Sequence, residues 1–213
     1  MPPPPDAKWR HPCTASASER LPGQLAGLPA ATHVDVYLCE LQRLSVQLLP
    51  LLQALHALPR VNCGAFGPGR ACAFDLPGLA PPGVLPRPAR GLSAALLQHW
   101  DQAMARAAVY LQLSRSFVRR NSLQEAPRSM LDRALSLVLR CQCRVQLLQA
   151  ARFGPRSWPS RSLTVGAVVP PRWRASAPQA VQHLRNFVTA RRLQTAFRSF
   201  AATCAALRAT LTP

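Results

Sequence analysis

The side chains of this 213-residue sequence that could do chemistry are seven cysteines, five histidines and eight acids. The acids are Asp6, Glu19, Asp35, Glu40, Asp75, Asp101, Glu125 and Asp132, and they stand singly. No two are close enough on one helix face for paired acid–base work. The histidines lie far apart, and His99, beside Trp100, reads as a rim residue rather than a ligand. There is no phosphate-cradling glycine loop and no nucleophile elbow. The sequence predicts no enzyme, no catalytic residues, no cofactor and no metal site.

The thiols are more informative. Cys141 and Cys143 form CQC, and on a helix two such positions point about 200° apart, so they cannot grip one zinc together. Cys141 or Cys143 reads as core filler, and so does Cys204. Cys63 and Cys72 lie in VNCGAFGPGRAC, where glycines permit close backbone approach. Either they are ordinary loop thiols, or they are oxidised, to each other or to a partner chain. A bond from either to Cys39 or Cys13 would tie the loop to the first helix or to the leader. Connectivity is not set by sequence.

Four helical stretches must position these groups. Residues 1–31 are rich in Pro, Ser, Gly and Ala and read as a flexible leader; residues 32–213 read as one helical domain. In the first helix Val34, Leu41, Leu48 and Leu55 are spaced by seven, as are Tyr37, Leu44, Leu51 and Leu58. Thr32 or Asp35 suits its start, and Pro50 should kink it. A second helix is expected over 92–117, with Leu96, Trp100, Ala103, Ala107, Tyr110 and Phe117 inward. A third is expected over 129–152, through Leu131, Leu135, Val138, Val145 and Leu148. A fourth is expected over 179–211, with a stripe of Ala190, Leu193, Phe197, Phe200, Cys204, Leu207 and Leu211.

The links between them differ. Residues 59–90 and the stretch GPRSWPSRSLTVGAVVPPRWRASAP are long and Pro/Gly-rich, whereas the middle link is short. A helix of about 25 residues spans roughly 37 Å. Each long link can run back along that length, and the short one can only turn around. Two long crossovers around one short turn predict an all-α, up-up-down-down four-helix bundle of the long-chain cytokine type.

Net charge is +18, with 48% hydrophobic residues. Such a chain attracts nucleic acid, heparin-like glycans, anionic lipid or acidic protein faces. Among the basic residues only Lys8 is lysine, and the arginines run from Arg10 to Arg208 without a dense block. That spread suits solvated helix faces better than a nucleic-acid footprint. No uninterrupted apolar run is long enough to span a membrane. The stretch MPPPPDAKWRHPC has no apolar signal-peptide core. Trp158 and Trp173, in the second long link, read either as interface anchors or as rings folded back on their own domain.

The sequence resembles the alpha subunits of the interleukin-6/interleukin-12 family of long-chain four-helix cytokines, most of all the interleukin-23 branch. The resemblance covers roughly residues 34–213 and is strongest in the last third. It rests on Leu193-Gln194, the alanine-rich run after it, and the Ala209-Thr210-Leu211-Thr212-Pro213 tail. Leu147-Leu148-Gln149, Trp158, Pro171-Arg172-Trp173, VNCG at 61–64 and CELQRLS at 39–45 add to it. It implies a secreted subunit that pairs with an interleukin-12-type beta subunit and drives immune JAK/STAT signalling through cell-surface receptors. It implies that Cys63 bonds to the beta subunit, that Cys72 belongs to an incomplete or rewired intrachain pair, and that Trp173 meets the receptor.

Departures from the family pattern qualify this. Ala202 falls where the family has a beta-subunit-docking arginine, leaving Arg198 or Arg208 to substitute. Relative to the family, about six residues are inserted between Trp173 and the fourth helix. The missing signal peptide is at odds with secretion, and a truncated or mis-started N-terminus would reconcile them. FDLPGLAPPGVLPRP has the flavour of the ciliary-neurotrophic-factor and cardiotrophin branch, so a stand-alone cytokine of that type is the alternative. From another class, an arginine-rich nucleic-acid-binding helical protein is the third reading. The leading reading includes no specific nucleic acid and no membrane insertion.

Overall fold

The computed structural model describes residues 12–13, 30–57, 92–118, 125–154, 168–169, 171 and 179–211. Four helices carry this part of the chain: α1 (Ala30–Ala57), α2 (Ala94–Phe117), α3 (Glu125–Phe153) and α4 (Gln179–Leu211). Among the described residues there is no strand.

The heptad series of α1 becomes its buried face. Val34, Tyr37, Leu41, Leu44, Leu48 and Leu55 are all buried, and Leu51 is half-buried. Pro50 does not end the helix, which continues to Ala57. Proline removes the N–H that the Val46 carbonyl would accept. Val46 and Pro50 are both exposed, so water can reach that carbonyl.

Helix α2 begins where Ser93 accepts a hydrogen bond from the Leu96 N–H at 3.2 Å, a side-chain cap for a free amide. Leu96, Trp100, Ala107 and Tyr110 are buried as expected, but Ala103 and Phe117 are only half-buried. Helix α3 starts four residues before the expected Ser129, at Glu125. Pro127 is tolerated because first-turn amides have no helical partner to lose. Gly154 ends α3 at φ 86°, with its N–H donating to the Ala150 carbonyl at 2.9 Å. That left-handed turn favours glycine. On α4 the stripe from Ala190 through Leu207 is buried; the side chain of Leu211 lies outside the described residues.

Helix α1 packs mainly on α4 and α3, and α2 on α3 and, less extensively, α4. Cross-helix pairs give the sense of each contact. Asp35, early in α1, meets Arg208, late in α4. Glu40 of α1 lies against Arg144 of α3. Asp101, early in α2, meets Gln146 late in α3, and Arg115 meets Asp132 at the other end. Trp100 and Phe200 stack edge to face at 4.7 Å, while Arg185 sits 5.6 Å over the Phe117 ring. In the α2–α3 and α2–α4 contacts, higher numbers on one helix pair with lower numbers on the other.

The core is one continuous cluster fed by all four helices. Trp100, Tyr110 and Phe200 are its largest fully buried side chains. The Trp100–Phe200 contact adds about 0.5–1.5 kcal/mol beyond the area it buries. Val168 and Val169 are buried too, and the Tyr110 hydroxyl donates to the Val168 carbonyl at 3.3 Å, tying part of the last link to α2.

Candidate functional site: the charged seams of helix α1

Helix α1 has a seam on each side, and each contains acid and arginine. On the α4 side, Asp35 and Gln42 are seven residues apart and share a face. The Arg208 Nε donates to Asp35 Oδ1 at 2.9 Å, and its Nη1 donates to Gln42 Oε1 at 3.4 Å. The hydrogen bond to Asp35 raises the arginine's pKa above its ordinary value. Both side chains of the ion pair remain about one-third exposed, at 33% and 36%. Cys39, one turn after Asp35, is an exposed free thiol.

On the α3 side the geometry is less complete. Glu40 takes two 3.1 Å contacts from Arg43 on its own helix. Arg144 Nε lies 4.0 Å from Glu40 Oε2, outside hydrogen-bond distance. Its side chain is 4% exposed, and its Nε and Nη1 have no hydrogen-bond partner. Arg144 is the one charged side chain buried among the described residues. Burial lowers its pKa, Glu40 and Tyr37 oppose that shift, and Arg140 and Arg43 add to it. Burial in turn raises the Tyr37 phenol, with Arg144 pulling it back.

A third polar seam joins α2 to α3. Asp101 Oδ1 accepts from Gln146 Nε2 at 2.9 Å and from Gln142 Nε2 at 3.3 Å. Burial pushes the Asp101 carboxyl up, and the two glutamine bonds oppose it. Gln146 Oε1 also lies 3.9 Å from Cys13 Sγ. His99 is half-buried with an unpartnered Nε2, its pKa lowered by burial and then by Arg106.

Cys13 and Cys143 form a disulfide that closes 130 residues of chain. Cys141 and Cys143 are both buried, at 0% and 1%: Cys141 is a free thiol packed in the core, as expected for one of the two, and Cys143 is bonded to Cys13. Burial pushes the Cys141 thiol up to about 12 and raises Cys204 as well, which suppresses thiolate chemistry at both.

The other site candidates divide by location. Arg198 is exposed on α4, whereas Arg208 is held by Asp35 and Gln42. Ten residues of helix place them about 15 Å apart along the axis. Ala202 is exposed one turn after Arg198. Cys63, Cys72, Trp158 and Trp173 lie outside the described residues. Among the described residues no group of three or more His, Cys, Asp or Glu side chains is arranged to hold a metal ion. Among the described residues no helix is long and apolar enough to cross a membrane.

Comparison with protein-family models, with curated proteins and with solved structures finds no match of any of the three kinds.

Proposed function

We propose that this chain is a secreted cytokine alpha subunit of the long-chain four-helix type, running up-up-down-down. It acts by surface recognition, pairing with an interleukin-12-type beta subunit and engaging a cell-surface receptor that drives JAK/STAT signalling. The observation that carries the reading is the order of packing. Consecutive helices α1 and α2 are not principal partners; α1 packs on α3 and α4, and α2 packs on α3 and, to a lesser extent, α4. The pairs Asp35–Arg208, Glu40–Arg144, Asp101–Gln146 and Trp100–Phe200 suit neighbours that run oppositely. With α1 diagonal to α2 and α3 diagonal to α4, that arrangement requires long first and last links and a short middle one. The link lengths in the sequence agree with it.

In this reading Cys63 forms the bond to the beta subunit, Cys72 belongs to an intrachain pair, Arg198 and Arg208 contribute to the subunit interface, and Trp173 meets the receptor. The test is co-expression with an interleukin-12-type beta subunit in a secreting cell, with an added signal peptide. A heavier non-reducing band that collapses on reduction and is lost in Cys63→Ser supports the heterodimer. A monomer in both lanes, secreted without the partner, rejects it. One observation favours the stand-alone cytokine of the cardiotrophin and ciliary-neurotrophic-factor type as the second reading. Arg208, a candidate for subunit docking, already satisfies Asp35 and Gln42 within the chain.

A further inference from the structure

Arg144 poses a question that the bundle itself does not answer. A guanidinium removed from water is tolerated when its N–H groups meet acceptors and its charge meets a counter-charge. Among the described residues Nε and Nη1 meet no acceptor, and the nearest carboxylate, Glu40, is engaged by Arg43. Arg144 is nevertheless next to the surface, because Glu40 is 20% exposed and Arg43 is 49% exposed.

The same face of α3 carries more of this charge. Arg133, Arg140 and Arg144 follow a spacing of seven and four, which keeps them on one side of a helix. Arg133 is exposed and Arg140 is half-buried. The row runs about 16 Å along the axis at a rise of 1.5 Å per residue. With Arg43 of α1 it makes a set of four guanidiniums, and Glu40 lies beside two of them, Arg43 and Arg144.

We propose that the α1–α3 seam is a binding site for a linear sulfated glycan, with Arg133, Arg140, Arg144 and Arg43 as its cationic track. Sulfate oxygens supply the charge-assisted acceptors that Glu40, held by Arg43 and 4.0 Å from Arg144, does not supply. The α3 row is straight and the site carries a net positive charge, which suits a polyanion whose charges repeat along its length. An acidic protein face suits it less well. Interfaces of that kind centre on buried aromatic anchors, and the large exposed hydrophobic residues of the described surface, Val46 and Phe153, do not belong to this row. This site is independent of the cytokine reading.

The test uses the full oxidised chain on immobilised heparin and compares two variants that remove equal charge. Arg133→Gln with Arg140→Gln should weaken binding by about tenfold or more near 0.15 M salt, while Arg191→Gln with Arg198→Gln on α4 changes it by about twofold or less. Equal loss in the two variants overturns the site and leaves only net charge. Poly-glutamate competing as well as a heparin oligosaccharide of matched charge overturns the glycan assignment. Inorganic sulfate should raise the melting temperature of the native chain and not that of Arg144→Leu. An equal rise in both removes Arg144 from the site. If Arg144→Leu does not fold, the Arg133/Arg140 pair of substitutions decides alone.

Discussion

The two seams of α1 solve the same problem in opposite ways. Against α4, Arg208 stays about one-third exposed, and Asp35 and Gln42 both accept from it. Against α3, Arg144 is sunk to 4% exposure and shares a carboxylate with Arg43. An arginine kept in contact with water is inexpensive to pair, because solvent completes whatever the protein leaves unmade. An arginine taken out of water must be completed by protein or by a ligand. The α3 side has a further difference, for Cys13 is bonded to it through Cys143. On the α1–α4 side the thiol, Cys39, is free.

The largest expected effect comes from that covalent difference. Cys13→Ser opens a loop of 130 residues. Chain entropy assigns such a loop about 5 kcal/mol of stability at most, and native disulfides typically contribute about 2–5 kcal/mol. Urea unfolding of the oxidised chain should show the loss, and the reduced native chain should match the variant. Cys39→Ser should stay within about 0.5 kcal/mol of the native chain, since the thiol is exposed and bonded to nothing. Equal effects of the two substitutions would erase the contrast between the seams.

The next effect separates the arginines. Glu40→Gln removes the carboxylate that Arg144 meets among the described residues, and should cost about 2–4 kcal/mol in a denaturant titration. Arg144→Leu should stabilise the chain by about 1–3 kcal/mol, because an incompletely paired buried charge gives way to apolar packing. Destabilisation by Arg144→Leu would mean that Arg144 is already well served in the folded chain.

Much of this architecture was legible in the residues. Val34, Leu41, Leu48 and Leu55 announced the buried face of α1, and the stripe from Ala190 to Leu207 announced that of α4. Heptad spacing is a local property, so it survives translation into structure. The disulfide was not legible, because nothing in sequence brings position 13 beside position 143. Arg144 was hidden for a different reason. It is one arginine in a chain full of them, and its burial arises from where α1 lies rather than from its own neighbours. Glu40 and Arg144 became a pair only when α1 and α3 packed together.

The α2–α3 seam sharpens the comparison through pH. Burial holds the Asp101 carboxyl above its ordinary value of 3.8. The folded chain therefore binds this proton more tightly than the unfolded chain does. Asp101 then contributes stability at low pH that is lost as pH rises from about 4 upward through the raised folded value. Asp101→Asn keeps an oxygen for Gln142 and Gln146 and removes the proton equilibrium. Melting temperatures measured from acid to neutral pH should show the native chain falling relative to this variant. A constant difference across that range would mean that the carboxyl is solvated like any surface acid.

The smallest expected effect is at the seam that looks most complete. Asp35→Asn removes the charge that Arg208 faces but keeps an oxygen able to accept from its Nε. Gln42 remains as a second acceptor, and about one-third exposure lets water and salt take up what is lost. The expected cost is about 0.2–1 kcal/mol, shrinking further as salt is added. A double-mutant cycle of Asp35→Asn with Arg208→Gln isolates the pair from other changes at the helix ends. A coupling as large as the cost of Glu40→Gln would show that exposure does not separate the two arginines. The physical distinction between the seams would then have to be sought in their packing instead.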